Sequence, residues 1–459
     1  IHELNSQSDI RVALDNYEST TKLTSSFSNH NGRVCLAVGP ERGWSSGERN
    51  QLRATQFKIC GLGTRVLRVE TAVVSAIGIL GSGWLGLALA EKAKKKGHMV
   101  RVTTTTKRKV NALQNKGFYA QYLRFTESTV EGEPDFFKDM SAVGLTGAFD
   151  AGMIDTGELG RRLALKMVEA GKFPLRMVAS LYVNQPEQLP GALSTLAGLQ
   201  ERYQHPLFSV STLKLSLDGT VEAKTAVMLE PYTLPEGHEP VPLLPNPGMF
   251  DAVMAAHEAN VDLHLHAIGD GAVRAALDAV ERAKAAHPQS DTRSTICHIE
   301  IVSAPDVARF AALDVVAQTT PTWFYFDDLA LERLGEDRFN QMYPLASILR
   351  HGGRVTLGSD YPVSWIGKDA LNPMFNIEMA VTRQQAGNPA VPVQPRVSER
   401  LSVDQAIRAH TADAAWQLRL EGEIGTLESG KLADVVVLDR DPYTTDLYEL
   451  HRIRVDQTF

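Results

Sequence analysis

From about residue 139 onward, short apolar segments alternate with helical patterns at regular spacing, and this alternation restricts the fold more than any other feature. A strand followed by a helix that leads to the next strand builds a parallel sheet covered by helices. Helical patterns occupy 252–259 and 272–286 between successive strands. Seven such strands predict most of a (β/α)₈ barrel. They cover 145–150, 175–183, 213–217, 261–266, 294–299, 315–320 and 355–358, and a further short strand covers 433–438.

The net charge of −7 is distributed unevenly along the chain. Residues 1–75 carry a net charge of +2, residues 76–124 of +9 and residues 125–459 of −18. Such abrupt changes suggest segments with different partners or different origins. Together with the strand patterns, they predict three blocks, with boundaries at 75/76 and 138/139.

The cysteine content indicates a reducing compartment. Cys35, Cys60 and Cys297 are far apart and form no CxxC pair. This spacing argues against a disulfide scaffold and against a Cys-rich zinc module, and it predicts a cytoplasmic protein. Residues 71–90 carry no charge over 20 residues, the length of a membrane span. Their four glycines favour a strand, a turn and a helix instead, so no membrane partner is expected.

Polar residues stand at the carboxyl ends of four predicted barrel strands, where barrel enzymes place their chemistry. Each has an ordinary structural explanation: a buried histidine often belongs to the core, and Asp360 could cap a helix. Four such residues in the order Lys, His, His, Asp favour a divalent metal site, with zinc as the expected ion once the lysine is carboxylated. A bound metal would activate water, and Asp360 would take its proton. The four candidates are Lys214, His266, His298 and Asp360.

Six segments of the third block resemble the amidohydrolase superfamily, specifically its YtcJ-like amidohydrolase-3 branch, which includes N-substituted formamide deformylases. The resemblance implies metal-dependent hydrolysis of a non-peptide C–N bond in a small-molecule N-acyl or N-formyl amine. It also implies that Lys214 is carboxylated and bridges metals, that His266 and His298 bind metal, and that Asp360 is a ligand and the catalytic base. The six segments are 144–152, 214–226, 266–273, 298–324, 358–363 and 425–442.

Neighbouring residues have less definite roles. His264 is not expected to be a ligand, because the family motif centres on the histidine of HAIGD. Asp270 is a candidate to orient His266. Three aromatic residues either line a substrate pocket or pack at a strand end. They are Trp323, Phe324 and Tyr325.

One departure from the family pattern predicts impaired activity. The family opens its barrel with a strand ending in His-x-His, which supplies two metal ligands. The histidines before residue 139 are His2, His30 and His98, all isolated. The first barrel strand and the small sandwich segment before it are therefore expected to be missing, and metal binding should be weak.

The first block suggests a different activity. Residues 34–38 form a predicted strand that enters a glycine-containing turn, and a second such turn precedes an arginine-rich strand. Two ordinary turns would explain this pattern, but residues 34–72 resemble RsmE-type 16S rRNA uridine-N3 methyltransferases of the SPOUT class. The resemblance implies a knotted S-adenosylmethionine site, with rRNA as partner. The residues implicated in binding or positioning the cofactor are Gly39, Glu41, Gly43, Leu62, Gly63, Leu67 and Arg68.

The second block begins like a dinucleotide-binding unit. Predicted strands at 77–80 and 99–103 flank a GxGxxG turn and a helix, and resemble the start of NAD(P)-binding epimerases. Thr104, Lys107 and Arg108 follow the second strand and favour NADP over NAD within 77–108. No Tyr-x-x-x-Lys follows, so a complete oxidoreductase is not expected. The three glycines of the turn are Gly81, Gly83 and Gly86.

The expected architecture is therefore α/β: an incomplete (β/α)₈ amidohydrolase barrel preceded by a partial Rossmann unit and a partial SPOUT (trefoil-knot) domain. Amidohydrolysis is the leading function. One alternative is S-adenosylmethionine-dependent rRNA methylation by residues 1–75. The other is that the chain is a non-functional chimera from a misjoined reading frame.

Overall fold

The computed structural model describes residues 134–459 apart from 153–156, 233–239 and 362–365, together with six short strands and a few neighbouring residues before them. Contacts divide the chain into two compact units, Ile1–Thr126 and Glu127–Phe459. The finer domain boundaries at 75/76 and 138/139 remain predictions.

Four strands of the first unit form a parallel sheet in the order β2-β4-β1-β3. A separate parallel pair joins β5 to β6. The strand predicted at 34–38 is confirmed as β3, and that predicted at 99–103 overlaps β5. The six strands are β1 (Ile10–Leu14), β2 (Thr21–Lys22), β3 (Val34–Val38), β4 (Lys58–Gly61), β5 (Arg101–Thr104) and β6 (Tyr119–Tyr122).

The candidate cofactor residues of this unit lie outside the described residues, as do the predicted knot and the strand at 77–80. Their roles stay predictions. These residues are Gly39, Glu41, Gly43, Leu62, Gly63, Leu67, Arg68, Gly81, Gly83 and Gly86.

The second unit is built on seven parallel strands that are neighbours in chain order, with the short β9 antiparallel to β10. Within the described part of the chain, no strand joins β7 to β14, so the sheet is open, as predicted for a barrel without its first strand. All seven predicted strands are confirmed. They are β7 (Gly147–Asp150), β8 (Arg176–Val183), β10 (Phe208–Ser216), β11 (Asp262–Ala267), β12 (Ser294–His298), β13 (Val315–Thr319) and β14 (Arg354–Leu357), and β9 spans Gln204–His205.

Helices cover this sheet because each has one apolar face. In α5, the buried side chains Val273, Ala276, Leu277 and Val280 recur at helical spacing. The helix predicted at 272–286 is confirmed within α5, and the helix predicted at 252–259 lies within α4 except for its last residue, Ala259, which caps the helix. The twelve helices with described bounds are α1 (Pro134–Ala142), α2 (Gly157–Glu169), α3 (Ala192–Arg202), α4 (Asn246–Glu258), α5 (Asp270–Ala286), α6 (Ala304–Ala312), α7 (Asp328–Leu334), α8 (Glu336–Phe339), α9 (Leu345–Arg350), α10 (Pro373–Thr382), α11 (Val403–His410) and α12 (Ala412–Gln417).

Alternation along the central strands separates an apolar face from a polar one. Leu213 and Leu215 are fully buried in the hydrophobic core, so Lys214 between them belongs to the opposite face. The parallel register then places Lys214 opposite His264, and Ser216 opposite His266. The strand pairing itself therefore gathers these polar residues at one end of the sheet.

The carboxyl-terminal segment closes against the start of this unit. The strand predicted at 433–438 is shorter, Val436–Leu438 (β15), and pairs antiparallel with Val455–Thr458 (β16). The Thr458 hydroxyl donates to the carbonyl of Ser141 at 2.9 Å, which attaches the pair to the end of α1. Among the described residues, every helix is too short or too polar to cross a bilayer.

Buried His257 in α4 should make the stability of this unit depend on pH. Burial, with the cations of Lys284 and His287, lowers the pKa of His257 to about 4. Because the unfolded histidine has an ordinary pKa near 6.5, the unfolded chain binds more protons as pH falls from 6.5 to 4. Stability is present above pH 6.5 and is lost across this window, by at most about 3 kcal/mol.

The test is urea unfolding of the native protein and of His257→Gln at pH 7 and pH 4.5. Gln keeps a polar group near Ser294, whose hydroxyl lies 3.4 Å from His257 Nε2. The variant should lose less stability on acidification than the native protein. Exposed His351→Gln is the control. Equal acid sensitivity of native protein and His257→Gln would contradict the prediction.

Candidate metal centre

Lys214, near the end of β10, is buried and points its charge at a sulfur atom. Its side chain is 4 % exposed, and Nζ donates to Cys297 Sγ at 2.8 Å. Cys297 is a free, buried thiol on β12. A buried ammonium needs a partner with negative or polarisable character, and the sulfur provides it.

The surroundings of His266 define its protonation state. Nε2 lies 3.3 Å from the Gly219 carbonyl and 3.5 Å from Asp218 Oδ1, so the ring proton belongs on Nε2 and the lone pair on Nδ1. Burial, reinforced by the Lys214 cation, lowers the pKa of His266 to about 3. The imidazole is therefore neutral at physiological pH, the form that binds metals.

Asp218, rather than the expected Asp270, is the carboxylate beside His266. It accepts backbone N–H groups from Val227, Ile268 and Gly269 at 2.9–3.0 Å. Burial raises the pKa of Asp218 to about 7, and these three hydrogen bonds act in the opposite direction. Asp270 begins α5 and instead accepts the Leu229 N–H at 2.9 Å.

His298 lies beside His266 and has an unusual backbone conformation. It ends β12 with φ +74°, a left-handed conformation uncommon for residues other than glycine. Its ring centroid lies 4.3 Å from that of His266, and the ring stacks on Trp323 at 5.4 Å. Nδ1 of His298 is buried and has no hydrogen-bond partner among the described residues. Strained backbone of this kind is concentrated at functional sites.

Asp360 follows β14 and also has a left-handed backbone, with φ +45°. Burial raises its pKa to about 6, while the nearby Lys214 cation opposes that shift. Its charge also acts on the Cys297 thiol. Asp360 therefore belongs to the same electrostatic environment as Lys214 and Cys297.

The residues present fit a divalent cation. His266, Cys297 and His298 each offer one ligand atom, and these atoms lie within 4.8 Å of one another. Two imidazoles and a thiolate form a donor set typical of zinc. The unpartnered Nδ1 of His298 is the kind of buried polar atom that a cation would satisfy.

Sequence reasoning missed Cys297 and Asp218. The signal for Cys297 was its position directly before His298 in TICHIE, and Asp218 lies in the LDGT of the motif around Lys214.

Of the residues that flank the candidate ligands, Trp323 contacts one of them, whereas Phe324 and His264 pack against other aromatic rings. Trp323 lies against His298, whereas Phe324 is buried with its centroid 4.5 Å from that of Tyr343. His264 is buried, its ring centroid lies 4.7 Å from that of Phe149 with the planes tilted by 35°, and its Nδ1 has no hydrogen-bond partner in the described part of the chain. It does not join the group of three potential ligands.

Replacing Gly269 by Ala should disturb the support of His266. A Cβ at this position would lie 2.1 Å from the Val227 carbonyl oxygen, a backbone atom that cannot easily move away. We expect the free energy of unfolding to fall by about 1–3 kcal/mol because the substitution overpacks the contact. Denaturant unfolding measures this change.

Gly198→Ala is the matched control, because nothing lies within 4 Å of its added Cβ in α3. It should raise stability by roughly 0.5–1 kcal/mol, the usual gain in a helix interior. Equal stability of the two variants would show that the backbone at Val227 moves away from the added Cβ without a loss of stability.

Two family profiles match the chain. The profile of the Amidohydrolase family matches residues 86–459, and that of an RNA methyltransferase domain matches residues 2–81. The first match begins inside the block that resembles a dinucleotide-binding unit, and neither profile is of the epimerase type.

Individual relatives agree with the first profile. The putative amidohydrolase YtcJ of Bacillus subtilis is 26% identical over 328 residues, 70% of this chain and 58% of the relative. The N-substituted formamide deformylase of Arthrobacter pascens is 29% identical over 214 residues, 46% of this chain and 38% of the relative. The chain thus spans between about two fifths and three fifths of the length of these relatives.

A solved structure shares the fold. It belongs to an uncharacterised metal-dependent hydrolase from Pyrococcus furiosus, with a TM-score of 0.57 and 18% identity. The similarity covers 88% of this chain and 93% of that one.

Proposed function

Because the chain belongs to the Amidohydrolase family, we propose that it is a metal-dependent hydrolase of non-peptide C–N bonds. The observation that carries the proposal is the convergence of His266 and His298 with buried Lys214 at the carboxyl ends of neighbouring parallel strands. The formamide deformylase relative supports N-formyl amines, or N-acyl amines more generally, as the substrate class.

The proposed roles follow from the donor types and their protonation. His266 and His298, both neutral, would hold the ion, which is zinc by donor preference, together with carboxylated Lys214 and Asp360. When bound, a divalent metal polarises the amide carbonyl and makes water a stronger nucleophile at neutral pH.

Asp360 is the proposed proton carrier. It accepts a proton from water as the oxygen adds to the carbonyl carbon, and passes that proton to the nitrogen as the C–N bond breaks. The products are a carboxylic acid, formate for an N-formyl substrate, and the free amine. A pKa near 6 suits this role, because the group is ionised at neutral pH and still basic enough to accept a proton.

The missing His-x-His pair limits the proposed activity. Residues 1–138 contain three isolated histidines and nothing that resembles the pair. With fewer fixed ligands and an open sheet edge, the remaining side chains are less firmly positioned. A displacement of about 1 Å can reduce an enzymatic rate by roughly 10²-fold. We therefore propose weak metal binding and slow hydrolysis.

Metal analysis combined with a hydrolysis screen tests the proposal. The chelator-treated chain is reloaded with zinc, cobalt or manganese, and metal content is measured by mass spectrometry. Release of benzylamine from N-formyl- and N-acetylbenzylamine measures activity. Slow hydrolysis that requires metal is the expected result. Failure to bind any of these metals would refute the proposal, and two tightly bound ions with fast turnover would refute the impairment.

A second candidate function is S-adenosylmethionine-dependent methylation of 16S rRNA at uridine N3 by the amino-terminal block. The RNA methyltransferase match over residues 2–81 and the parallel sheet of β1 to β4 favour it. Titration calorimetry of the full chain with S-adenosylmethionine tests it. Saturable heat supports a cofactor site, and no heat at millimolar cofactor leaves a related fold without the activity.

NADP binding is a further alternative for the second block. NADP binding at 77–108 rests on the GxGxxG turn and the basic residues after the second predicted strand, and titration with NADPH monitored by fluorescence tests it.

The last alternative is a chimeric reading frame. Matches to two unrelated families within one chain support the chimera alternative. Mapping transcripts across residues 70–80 and 125–140 would decide whether the joins exist in the natural message.

A further inference from the structure

We propose that Cys297 is a metal ligand, and that the centre is a His₂Cys site with His266 and His298. The inference rests on the proposed metal-dependent function and goes beyond it by adding a thiolate to the Lys, His, His, Asp set. It also gives the chain a replacement for part of the ligand set that the missing His-x-His pair would supply.

The position of Cys297 in the sheet supports this assignment. The parallel register pairs Cys297 with His266 on β11, so both side chains project from the same face of the sheet. His298 is the next residue in the chain, so a regular strand would direct its side chain to the other face of the sheet. Its left-handed backbone at the strand end turns the ring towards His266 instead. These three residues therefore converge from two neighbouring strands.

Burial and unmet hydrogen bonding indicate that a ligand belongs between them. Cys297 is 1 % exposed and His298 is 8 % exposed, and the ligand atoms of the three residues lie within 4.8 Å of one another. The buried Nδ1 of His298 has no hydrogen-bond partner among the described residues. A cation bound by these atoms would satisfy that nitrogen and balance a thiolate charge.

Lys214 gives the sulfur a hydrogen-bond donor. Its Nζ donates to Cys297 Sγ at 2.8 Å, and a bound metal ion would itself deprotonate the thiol that coordinates it. A carboxylated Lys214 keeps one N–H on Nζ, so it can still donate to the sulfur. The contact is therefore compatible with either state of the lysine.

A thiolate ligand also predicts selectivity among metals. Sulfur favours zinc and cobalt over magnesium and manganese, which prefer oxygen ligands. With Cys297 in the site, zinc and cobalt should bind far more tightly than manganese.

Cobalt substitution tests the inference, because a thiolate bound to cobalt gives a charge-transfer absorption in the near ultraviolet that nitrogen and oxygen ligands do not give. The measurement uses the full chain carrying Cys35→Ser and Cys60→Ser, so that Cys297 is its sole thiol. The expected result is stoichiometric cobalt with this absorption. Cys297→Ser should abolish the absorption and weaken cobalt binding by at least roughly 10-fold, while circular dichroism checks that the variant folds.

The outcomes separate the two proposals. Bound cobalt without charge-transfer absorption would overturn the thiolate ligand and leave the hydrolase proposal intact. The absorption without any amide hydrolysis would support the ligand and refute the hydrolase. Failure to bind cobalt would overturn the thiolate ligand, and failure to bind cobalt, zinc and manganese alike would overturn both proposals. Because the sole-thiol chain gives the signal by itself, the test stands even where Cys297→Ser does not fold.

Discussion

Asp360→Asn is expected to lower the rate of amide hydrolysis by about 10²–10⁴-fold, the usual contribution of a positioned general base. Asn has nearly the same size but cannot accept the proton from attacking water. The rate is measured as amine release from the best substrate of the hydrolysis screen, at saturating metal, so that weaker metal binding does not contribute to the loss.

The matched control applies the same chemical change at the surface. Asp278 pairs with Arg309 at 2.8 Å and is 37 % exposed, so Asp278→Asn should leave the rate unchanged. A rate for Asp360→Asn within threefold of the native rate would remove Asp360 from the proposed proton transfer. The metal content of both variants shows whether the ion remains bound.

The barrel strands were predictable because buried parallel strands are apolar along most of their length. The start of β10 was not. Residues 208–211 alternate between apolar and hydroxyl side chains, and the pairing with β8 shifts register between Val210 and Thr212. A short alternating segment resembles a separate loop or edge strand when only its sequence is considered, so the prediction began at residue 213, after the irregularity.

The candidate site also contains some features that the sequence predicts and others that it does not. The positions of Lys214 and His266 follow from strand ends, because parallel strands bring those ends to the same edge of a sheet. The contact between Lys214 and Cys297 depends on the register across an intervening strand, which the sequence does not specify. The left-handed backbone of His298 and Asp360 likewise requires tertiary contacts to impose it.

One buried cation, the guanidinium of Arg383, joins the segments at 342–343 and 394–395. Arg383 is fully buried at the end of α10, and its guanidinium donates to backbone carbonyl oxygens at 2.7–3.1 Å. It also lies 5.4 Å from the centroid of Phe324, the residue after Trp323. Burial lowers its pKa to about 10, so it stays charged at neutral pH. The four acceptors belong to Met342, Tyr343, Gln394 and Pro395.

Arg383→Met is therefore expected to reduce the free energy of unfolding by about 3–5 kcal/mol, because it removes the shared donor of several buried carbonyl oxygens. Met fills similar volume but removes the Arg383 donor from the carbonyl oxygens of Met342, Gln394 and Pro395, and each buried unsatisfied group costs about 1–3 kcal/mol before relaxation. The Tyr343 carbonyl still accepts the Leu345 N–H at 2.9 Å. Urea unfolding measures the change. The control is Arg282→Met, because Arg282 is exposed and lies 4.6 Å from the centroid of Phe250, so the same substitution removes an aromatic contact alone. That loss should be about 0.5–1 kcal/mol. If both variants lose the same stability, the hydrogen bonds from Arg383 to the backbone carbonyl oxygens do not stabilise this part of the fold. The stacking of Trp323 on His298 must then be maintained by other contacts.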